Sequence, residues 1–289
     1  RGSNEIKNAT DMEDGRLHTL MKVCSKVLEN SKRTRSPKLK ISELRKYRAG
    51  MKKIPCGNTE IDEMLGGGIE LEALTEVFGA FASGKTQFCY STLVEAMFKN
   101  GWKAVWIDCE DTFDPERLNQ IIKARGYQGD MTEDELDTFV DEHLTYTHTP
   151  NTDTVVEEIN NLSQLLVEDE SIKLIIVDGA TGQFREEYLG RGTLASRQQN
   201  LAKFLGIMKN SAYFFNVAFL MTNQVGTDPA KQFGDPTYAV GGNIVGHAST
   251  YRLYFKKAGK KRYATAIDSP KQAVFDAEFL LTDKGIDNP

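Results

Sequence analysis

The sequence predicts an α/β protein with a mostly parallel, twisted central sheet flanked by helices and preceded by a short helical and linker segment. Three observations support this prediction. Short apolar segments alternate with helical patterns along most of the chain. One apolar segment runs directly into a glycine-rich loop that opens a helix. Two others end in a carboxylate, as parallel strands do when they lead into a ligand site.

The 289 residues suffice for one large domain with a small appendage. We expect the appendage to be residues 1–52, with an amphipathic helix over 14–30 and a basic linker after it. Lys32 to Lys53 contains ten lysines and arginines against Glu43 alone, although the net charge of the chain is −5. Residues 53–289 form the main domain in this interpretation.

The composition argues against a membrane-spanning protein and against a protein built around a cysteine-bound metal. Apolar residues make up 40% of the chain and charged residues 27%, which is typical of a globular domain. No apolar run approaches the roughly 18–20 residues that cross a bilayer, so no membrane partner is expected. The cysteines lack the spacing of a metal site, and we expect free thiols in a reducing, intracellular compartment. They are Cys24, Cys56, Cys89 and Cys109.

The individual elements follow from local patterns. Apolar runs predict strands at Ala73–Phe78, Ala104–Asp108, Leu174–Asp178, Val217–Asn223 and Thr250–Phe255. Asp114 and Pro115 are suited to begin a helix that Gly126 ends. Apolar residues at helical spacing predict further helices over 154–167 and 194–208. A capping box formed by Thr132 and Glu135 predicts one more helix start.

Residues Gly79 to Thr86 read GAFASGKT and match the phosphate-binding loop known as Walker A. Glycines let the backbone turn its N–H groups toward phosphate oxygens, and the following helix N-terminus favours negative charge. Lys85 is expected to bridge the β- and γ-phosphates of ATP, and the Thr86 hydroxyl to bind Mg²⁺. A chance match is the alternative, but the strand before the loop and the apolar helix after it argue against chance.

Two acidic residues at strand ends complete the predicted site. Asp178 follows a buried strand and is suited to hold the Mg²⁺ shell. Glu110 follows another strand and is suited to orient the water that attacks the γ-phosphate. Taken alone, each carboxylate is equally compatible with a loop cap. Together with the phosphate loop they predict ATP hydrolysis.

Five sequence blocks resemble the RecA/RadA strand-exchange ATPases, in particular archaeal RadA-type recombinases. They are VFGAFASGKTQ, WIDCEDTFDPERL, LIIVDGATGQFREEYLGRGTLASRQQ, FLMTNQV and GGNIVGHASTYRLYFKK, in the family's order. The resemblance covers about Ile54 to Asp287. It implies a RecA-type P-loop ATPase core that forms a helical filament or ring on single-stranded DNA and pairs it with homologous duplex DNA. It also implies recombination mediators as partners and a cytoplasmic location, or a nuclear one in a eukaryote.

The same resemblance assigns roles to matching positions. Catalysis is assigned to Glu110, Lys85 and Gln224, with Gln224 as the γ-phosphate sensor, and metal binding to Thr86 and Asp178. The implied ATP-binding set is Gly79, Ala80, Phe81, Ala82, Ser83, Gly84, Lys85, Thr86, Gln87, Arg117, His247, Asp268 and Pro270. Within it, Arg117 is placed beside the adenine, His247 at the subunit junction, and Asp268 and Pro270 over the neighbouring subunit's nucleotide.

Two segments match the family's DNA-binding loops. The first, YLGRGTLASRQQ, carries Arg191 and Arg197, and the second spans 226–242 and carries Lys231, Gly241 and Gly242. Glycine-rich segments of this kind suit backbone that becomes ordered on a strand. Arginine and backbone N–H groups bind phosphates without reading sequence, as homology search requires.

Some positions depart from the family's pattern. Ala80 and Ala82 stand where glutamate and glycine are usual, and Gly179 replaces a common serine after Asp178. The family polymerises through a Phe-x-x-Ala segment, for which Leu39 with Ser42 is the nearest match. The family's core usually follows a helix-hairpin-helix domain, of which we expect residues 14–30 to represent the final helix in this sequence.

Three functional hypotheses follow. The first is an ATP-dependent recombinase that exchanges strands between DNA molecules. The second is an ATP-binding recombinase paralogue that mediates or regulates without exchanging strands, which the weak match at Leu39 and Ser42 favours and the two DNA loops oppose. The third is a RecA-fold kinase or helicase, for which no acceptor-substrate or unwinding signature is visible.

Overall fold

A computed structural model describes residues 40–187, 194–227, 236–270 and 276–289. The helices are α1 (Ile41–Ala49), α2 (Thr59–Met64), α3 (Lys85–Phe98), α4 (Pro115–Ala124), α5 (Glu133–His143), α6 (Thr152–Glu168), α7 (Ala180–Glu187), α8 (Leu194–Phe215) and α9 (Gly242–Ala248). The strands are β1 (Lys53–Ile54), β2 (Ile69–Glu70), β3 (Leu74–Gly79), β4 (Lys103–Asp108), β5 (Leu144–His148), β6 (Ile172–Asp178), β7 (Ala218–Asn223), β8 (Val225–Thr227), β9 (Thr237–Ala239), β10 (Tyr251–Ala258), β11 (Lys261–Asp268), β12 (Asp276–Thr282) and β13 (Gly285–Asp287).

Nine strands form one sheet in the order β13-β12-β11-β10-β3-β7-β6-β4-β5. The six strands from β10 to β5 are parallel to one another, and β11, β12 and β13 add antiparallel pairs at one edge. Two small antiparallel pairs, β1–β2 and β8–β9, lie outside this sheet. The predicted mostly parallel sheet flanked by helices is therefore confirmed.

The central strands are buried on both faces. Along β6, Leu174 and Ile176 pack into one apolar cluster with α2, α3, α4 and α5, while Ile175 and Val177 pack into a second cluster with α6, α7, α8 and α9. Such strands have no solvent-facing side, which is why β6 is a continuous apolar run. Polar side chains can then reach solvent only where the strands end.

All five predicted strands and the predicted helices of the main domain are present. Asp114 caps α4 by accepting a hydrogen bond from the backbone N–H of Glu116, and Thr132 and Glu135 form the predicted capping box of α5. Eight strands were not predicted, namely β1, β2, β5, β8, β9, β11, β12 and β13. The strand β5 reads LTYTH, which lacks an apolar run because its side chains are mostly exposed at the edge of the sheet.

The N-terminal part of the chain lies mostly outside the described residues, including the predicted helix over 14–30, Cys24 and Leu39. Ser42 lies in α1, a helix without buried residues that exposes Ile41 and Tyr47. Cys56, Cys89 and Cys109 are free thiols, as expected. Within the described ranges, no helix has the length and apolar character needed to span a bilayer. The division at residue 53 stays a prediction.

Arg125 connects strand β13 to the core through hydrogen bonds and an ion pair. Its guanidinium lies 2.5 Å from a carboxylate oxygen of Glu95, and both side chains are at least nine-tenths buried. It also donates to the carbonyls of Lys284 at 2.8 Å and Ile286 at 3.0 Å, which flank and form β13. A Cβ at Gly57 would lie 2.4 Å from this guanidinium, so glycine is required there for the close approach. One buried cation therefore joins three segments that are distant in sequence.

We expect Arg125→Ala to lower the free energy of unfolding by about 3–5 kcal/mol, because it leaves the Glu95 carboxylate buried and unpaired. Urea unfolding measures the change. The matched control is Lys99→Ala, which removes an exposed partner of the same carboxylate, 3.6 Å away, and should change stability little. Equal unfolding midpoints for wild type and Arg125→Ala would contradict the role assigned to this arginine.

Candidate nucleotide site

The phosphate loop connects β3 to α3 at the carboxyl edge of the sheet. Its turn uses Gly84 at φ +106°, in the left-handed region that favours glycine. A Cβ on Gly79 would lie 2.4 Å from the carbonyl oxygen of Phe255, so the loop passes close to β10. Ser83 is buried, whereas Phe81 is 97% exposed. The backbone between Gly79 and Lys85 thus forms the predicted strand–loop–helix arrangement.

Lys85 begins α3 and folds back over the loop. Its ammonium group donates to the carbonyls of Gly79 at 3.1 Å and Ala80 at 3.3 Å. Burial lowers the pKa of Lys85, and the nearby carboxylates of Glu110 and Asp178 oppose this effect. The ammonium group of Lys85 lies beside the loop and is held by backbone carbonyls. It is therefore placed to donate to phosphate oxygens in place of these carbonyls when phosphate binds.

Asp178 is the buried carboxylate of the site. The Thr222 hydroxyl donates to its Oδ1, while Oδ2 is buried without a hydrogen-bond partner among the described residues. Burial raises the pKa of Asp178 to about 6, opposed mainly by the hydrogen bond from Thr222 and less by the nearby hydroxyl of Thr86. An unpaired carboxylate oxygen beside a threonine hydroxyl is an oxygen donor set that suits Mg²⁺. These two residues therefore fit the predicted metal role.

Glu110 is held at the edge of the site by the turn after β4. Asp108 builds this turn by accepting backbone N–H groups from Glu110 at 3.0 Å and from Thr112 and Phe113 at 2.9 Å. The Glu110 side chain itself is exposed. The anchored backbone and the exposed carboxylate suit a group that must meet a water molecule.

Gln224 meets Glu110 from the neighbouring part of the sheet edge. Its side-chain amide donates to Oε1 of Glu110 at 3.0 Å. Its backbone carbonyl accepts the N–H of Val240 at 3.0 Å, at the end of the second glycine-rich segment. The structure therefore brings together two of the predicted catalytic residues and ties one of them to the predicted DNA-binding loop.

The absence of a side chain at Gly179 leaves room for the side chain of Glu110. A Cβ at position 179 would lie 2.3 Å from Cγ of Glu110, and the residue has φ +89°. A serine at position 179 would collide with the Glu110 side chain in this position, so the glycine that stands here is consistent with where Glu110 lies. Any larger residue would both strain the backbone and displace the carboxylate.

Arg117 reaches the phosphate-loop helix from α4. Its guanidinium donates to the side chain of Gln87 at 2.9 Å and to the carbonyl of Thr282 at 2.6 Å. Burial lowers the pKa of Arg117, opposed mainly by Asp283. The structure thus places Arg117 and Gln87 together, and contact with adenine stays a prediction.

The remaining predicted residues lie apart from this cluster or outside the described part of the chain. Arg197 is half-buried on α8, and Gly241 and Gly242 have positive φ where α9 begins. His247 is exposed on α9. Asp268 and Pro270 are exposed at and just after the end of β11, and Arg191 and Lys231 fall outside the described residues. Their DNA and neighbour-subunit roles stay predictions.

Three residues of the site were missed from the sequence. Thr222 binds Asp178, Asp108 builds the Glu110 turn, and Arg262 of β11 donates to the carbonyl of Ala82 at 3.4 Å. Asp108 carried a signal, because an aspartate at a strand end favours a side-chain-to-backbone turn. The other two are brought in by strands distant in sequence, for which no local signal exists.

Comparison with known proteins gives consistent results. The Rad51 family profile matches residues 47–289. A DNA repair and recombination protein RadA from Cenarchaeum symbiosum (strain A) is 44% identical over 259 residues, covering 85% of this chain and 61% of the relative. One of the same description from Ignicoccus hospitalis is 40% identical over 261 residues, covering 86% and 76%. The chain thus spans less than two thirds of the length of the first relative.

We expect Gly179→Ala to slow ATP hydrolysis by roughly tenfold or more while ATP affinity is retained, because displacing a catalytic group by about 1 Å has effects of this size. Steady-state hydrolysis and equilibrium nucleotide binding measure the two quantities. Gly129→Ala is the matched control, since Gly129 also has positive φ, +54°, with nothing near a Cβ. Equal slowing in both variants, or normal hydrolysis by Gly179→Ala, would contradict this account.

The raised pKa of Asp178 predicts a pH-dependent stability without nucleotide or metal. The unfolded chain ionises Asp178 near 3.8 and the folded chain near 6, so the folded state loses stability as pH rises between these values. Asp178→Asn removes this effect, and its stability advantage should grow to about 3 kcal/mol by pH 7. Urea unfolding at pH 4 and 7 measures it. An advantage that does not change with pH would exclude Asp178 as the cause.

Proposed function

The chain belongs to the Rad51 family, and on this premise we propose that it is an ATP-dependent DNA recombinase. In this role it forms filaments on single-stranded DNA and promotes homologous pairing and strand exchange in recombinational repair. ATP and Mg²⁺ are its cofactors, and single-stranded and homologous duplex DNA are its partners. Curated relatives described as DNA repair and recombination proteins support the proposal.

The observation that carries the proposal is the double attachment of Gln224. Its side chain binds Glu110, and its backbone binds Val240 at the end of the second predicted DNA segment. A simple nucleotide-binding protein has no need for this link. A DNA-dependent ATPase does, because occupancy of the DNA segment must alter the placement of the catalytic carboxylate.

The residues of the site divide the chemistry of hydrolysis between them. Lys85 and the loop N–H groups bind and orient the phosphates, and Glu110 orients the attacking water and accepts its proton. Thr86 and Asp178 would hold Mg²⁺, which neutralises phosphate charge when bound. Gln224 restrains Glu110 until the γ-phosphate competes for its amide. ATP thereby favours one arrangement of the DNA segment, and hydrolysis releases it.

Self-association is part of the proposal. A phenylalanine ring that is 97% exposed at the tip of the phosphate loop is suited to be covered by a second subunit. His247, Asp268 and Pro270 are exposed and available to reach a neighbour's nucleotide. The nucleotide would then lie between subunits, which explains how ATP stabilises a filament.

A strand-exchange assay with ATP and with a nonhydrolysable analogue tests the proposal. We expect wild-type protein to pair single-stranded DNA with homologous duplex with either nucleotide, because binding rather than hydrolysis sets the active state. Lys85→Ala should abolish ATP binding and pairing, since the phosphates lose their half-buried cation. Lys123→Ala, which removes an exposed lysine on α4, is the control. ATP hydrolysis without pairing by wild-type protein would support a regulatory paralogue instead.

A further inference from the structure

A second buried polar group lies outside the predicted ATP chemistry. Glu76, in the middle of β3, is fully buried. Its two carboxylate oxygens have different partners: Nε of Arg252 lies 2.6 Å from Oε2, and Nδ2 of Asn223 lies 2.6 Å from Oε1. The three side chains come from adjacent parallel strands, β10, β3 and β7. They occupy the sheet face that packs against α6–α9.

Asn223 extends this group to two further segments. Its amide also donates to the carbonyl of Val240 at 2.8 Å, and its Oδ1 accepts a hydrogen bond from the hydroxyl of Thr181. Both amide hydrogens and the amide oxygen are therefore used. We call Glu76, Arg252, Asn223 and Thr181 the Glu76 cluster.

The cluster is connected to both predicted DNA segments, through its member Thr181 and through the carbonyl of Val240 to which Asn223 donates. Thr181 is in α7, the helix that leads to the first segment, and Val240 is near the end of the second. Arg252 supports α9, since a Cβ on Gly246 would lie 3.1 Å from its guanidinium. The inner member, Glu76, lies three residues before Gly79, where the phosphate loop begins. Through its hydrogen-bond partners, the Glu76 carboxylate thus connects β3, which leads into the phosphate loop, with the helix before the first predicted DNA segment and with a residue of the second.

Stability alone explains this arrangement poorly. Replacing a buried ion pair with apolar side chains of similar volume is often neutral or stabilising, so burial of Glu76 is a weak means of holding the sheet together. A buried cluster in which every polar group is paired fixes the relative positions of its side chains. If one side chain moves away, a buried polar group of its partner is left without a hydrogen bond. A displacement of β3 would then move Asn223, which is next to Gln224. Through Asn223 it would also move Thr181, in the helix before the first predicted DNA segment, and Val240, within the second.

We propose that Glu76 is a positioning residue that couples the state of the phosphate loop to the affinity of the two segments for single-stranded DNA. This inference rests on the proposed function, because it needs the segments to bind DNA. It adds to the direct contact of Gln224 with Glu110 a second route, through the buried face of the sheet. Glu76 touches no substrate in this role and acts through Asn223 and Arg252.

The coupling is the ratio of single-stranded DNA affinities measured with a nonhydrolysable ATP analogue and with ADP. Fluorescence anisotropy of a labelled oligonucleotide of mixed sequence gives both values. In Glu76→Gln only one acceptor oxygen remains, so the new N–H donors must face either the Arg252 guanidinium or the Asn223 amide, both of which donate to Glu76 in the wild type. We expect the ratio to move toward one by roughly two- to thirtyfold, the range in which single substitutions alter such coupling. Affinity in the ADP state should change little.

Two further variants keep the test decisive. Thr75→Val alters the neighbouring β3 residue, whose buried hydroxyl has no partner among the described residues, and should retain the wild-type ratio. Thr181→Val removes only the far hydroxyl of the cluster and should lower the ratio less than Glu76→Gln. If Glu76→Gln does not fold, Thr181→Val decides: a lowered ratio supports the coupling and a wild-type ratio overturns it.

An unchanged ratio in folded Glu76→Gln, or an equal loss of affinity in both nucleotide states, overturns the inference. The second outcome would mean that the cluster supports the segments statically. Reciprocity gives an independent check, because saturating DNA must change nucleotide affinity by the same factor. A wild-type ratio of one overturns the coupling and the proposed function together. A wild-type ratio above one that Glu76→Gln leaves intact overturns only the coupling.

Discussion

The parallel pairing of β3 with β7 and of β7 with β6 aligns three polar strand ends at one edge of the sheet. In register, Phe78 pairs with Asn223, and Val177 with Met221. The residues that follow Phe78 and Asn223, Gly79 and Gln224, therefore emerge side by side, and Asp178 lies level with Thr222, two residues before Gln224. Because both faces of these strands are covered by helices, the edge is where polar groups of the central strands meet solvent and ligands. The placement of the phosphate loop, of the predicted metal ligand Asp178 and of the predicted sensor Gln224 depends on this register.

Placing a carboxylate at such an edge carries a stability cost. Asp178 is almost completely buried, its pKa is raised to about 6, and one of its oxygens has no hydrogen-bond partner within the described part of the chain. In a protein selected only for stability, an apolar residue would serve better there. The unsatisfied oxygen is what makes the position suitable for a cation, because the cation supplies the missing interaction. In the proposed function, cation binding at Asp178 would offset this stability cost.

The sequence predicted those parts of the site that are contiguous in the chain. The phosphate loop and the strand-end acids are local patterns, and each predicts its own element. Thr222, Arg252 and Glu76 could not be assigned, because their roles come from pairings between strands that lie far apart in sequence. The antiparallel strands after β10 were missed for a related reason: β12 alternates buried with partly exposed residues near the edge of the sheet and carries no long apolar run.

The loop itself shows how such distant contacts complete a local motif. Ala82 has φ +58°, a left-handed conformation that costs a residue with a Cβ about 1–2 kcal/mol relative to glycine. The two alanines of GAFASGKT therefore do not prevent the loop from forming, but one of them strains it. Arg262 binds the carbonyl of Ala82, and its side chain passes within 3.5 Å of a Cβ position at Gly84. A cation from β11 thus supports the strained turn, so the loop depends on the antiparallel edge of the sheet as well as on its own glycines.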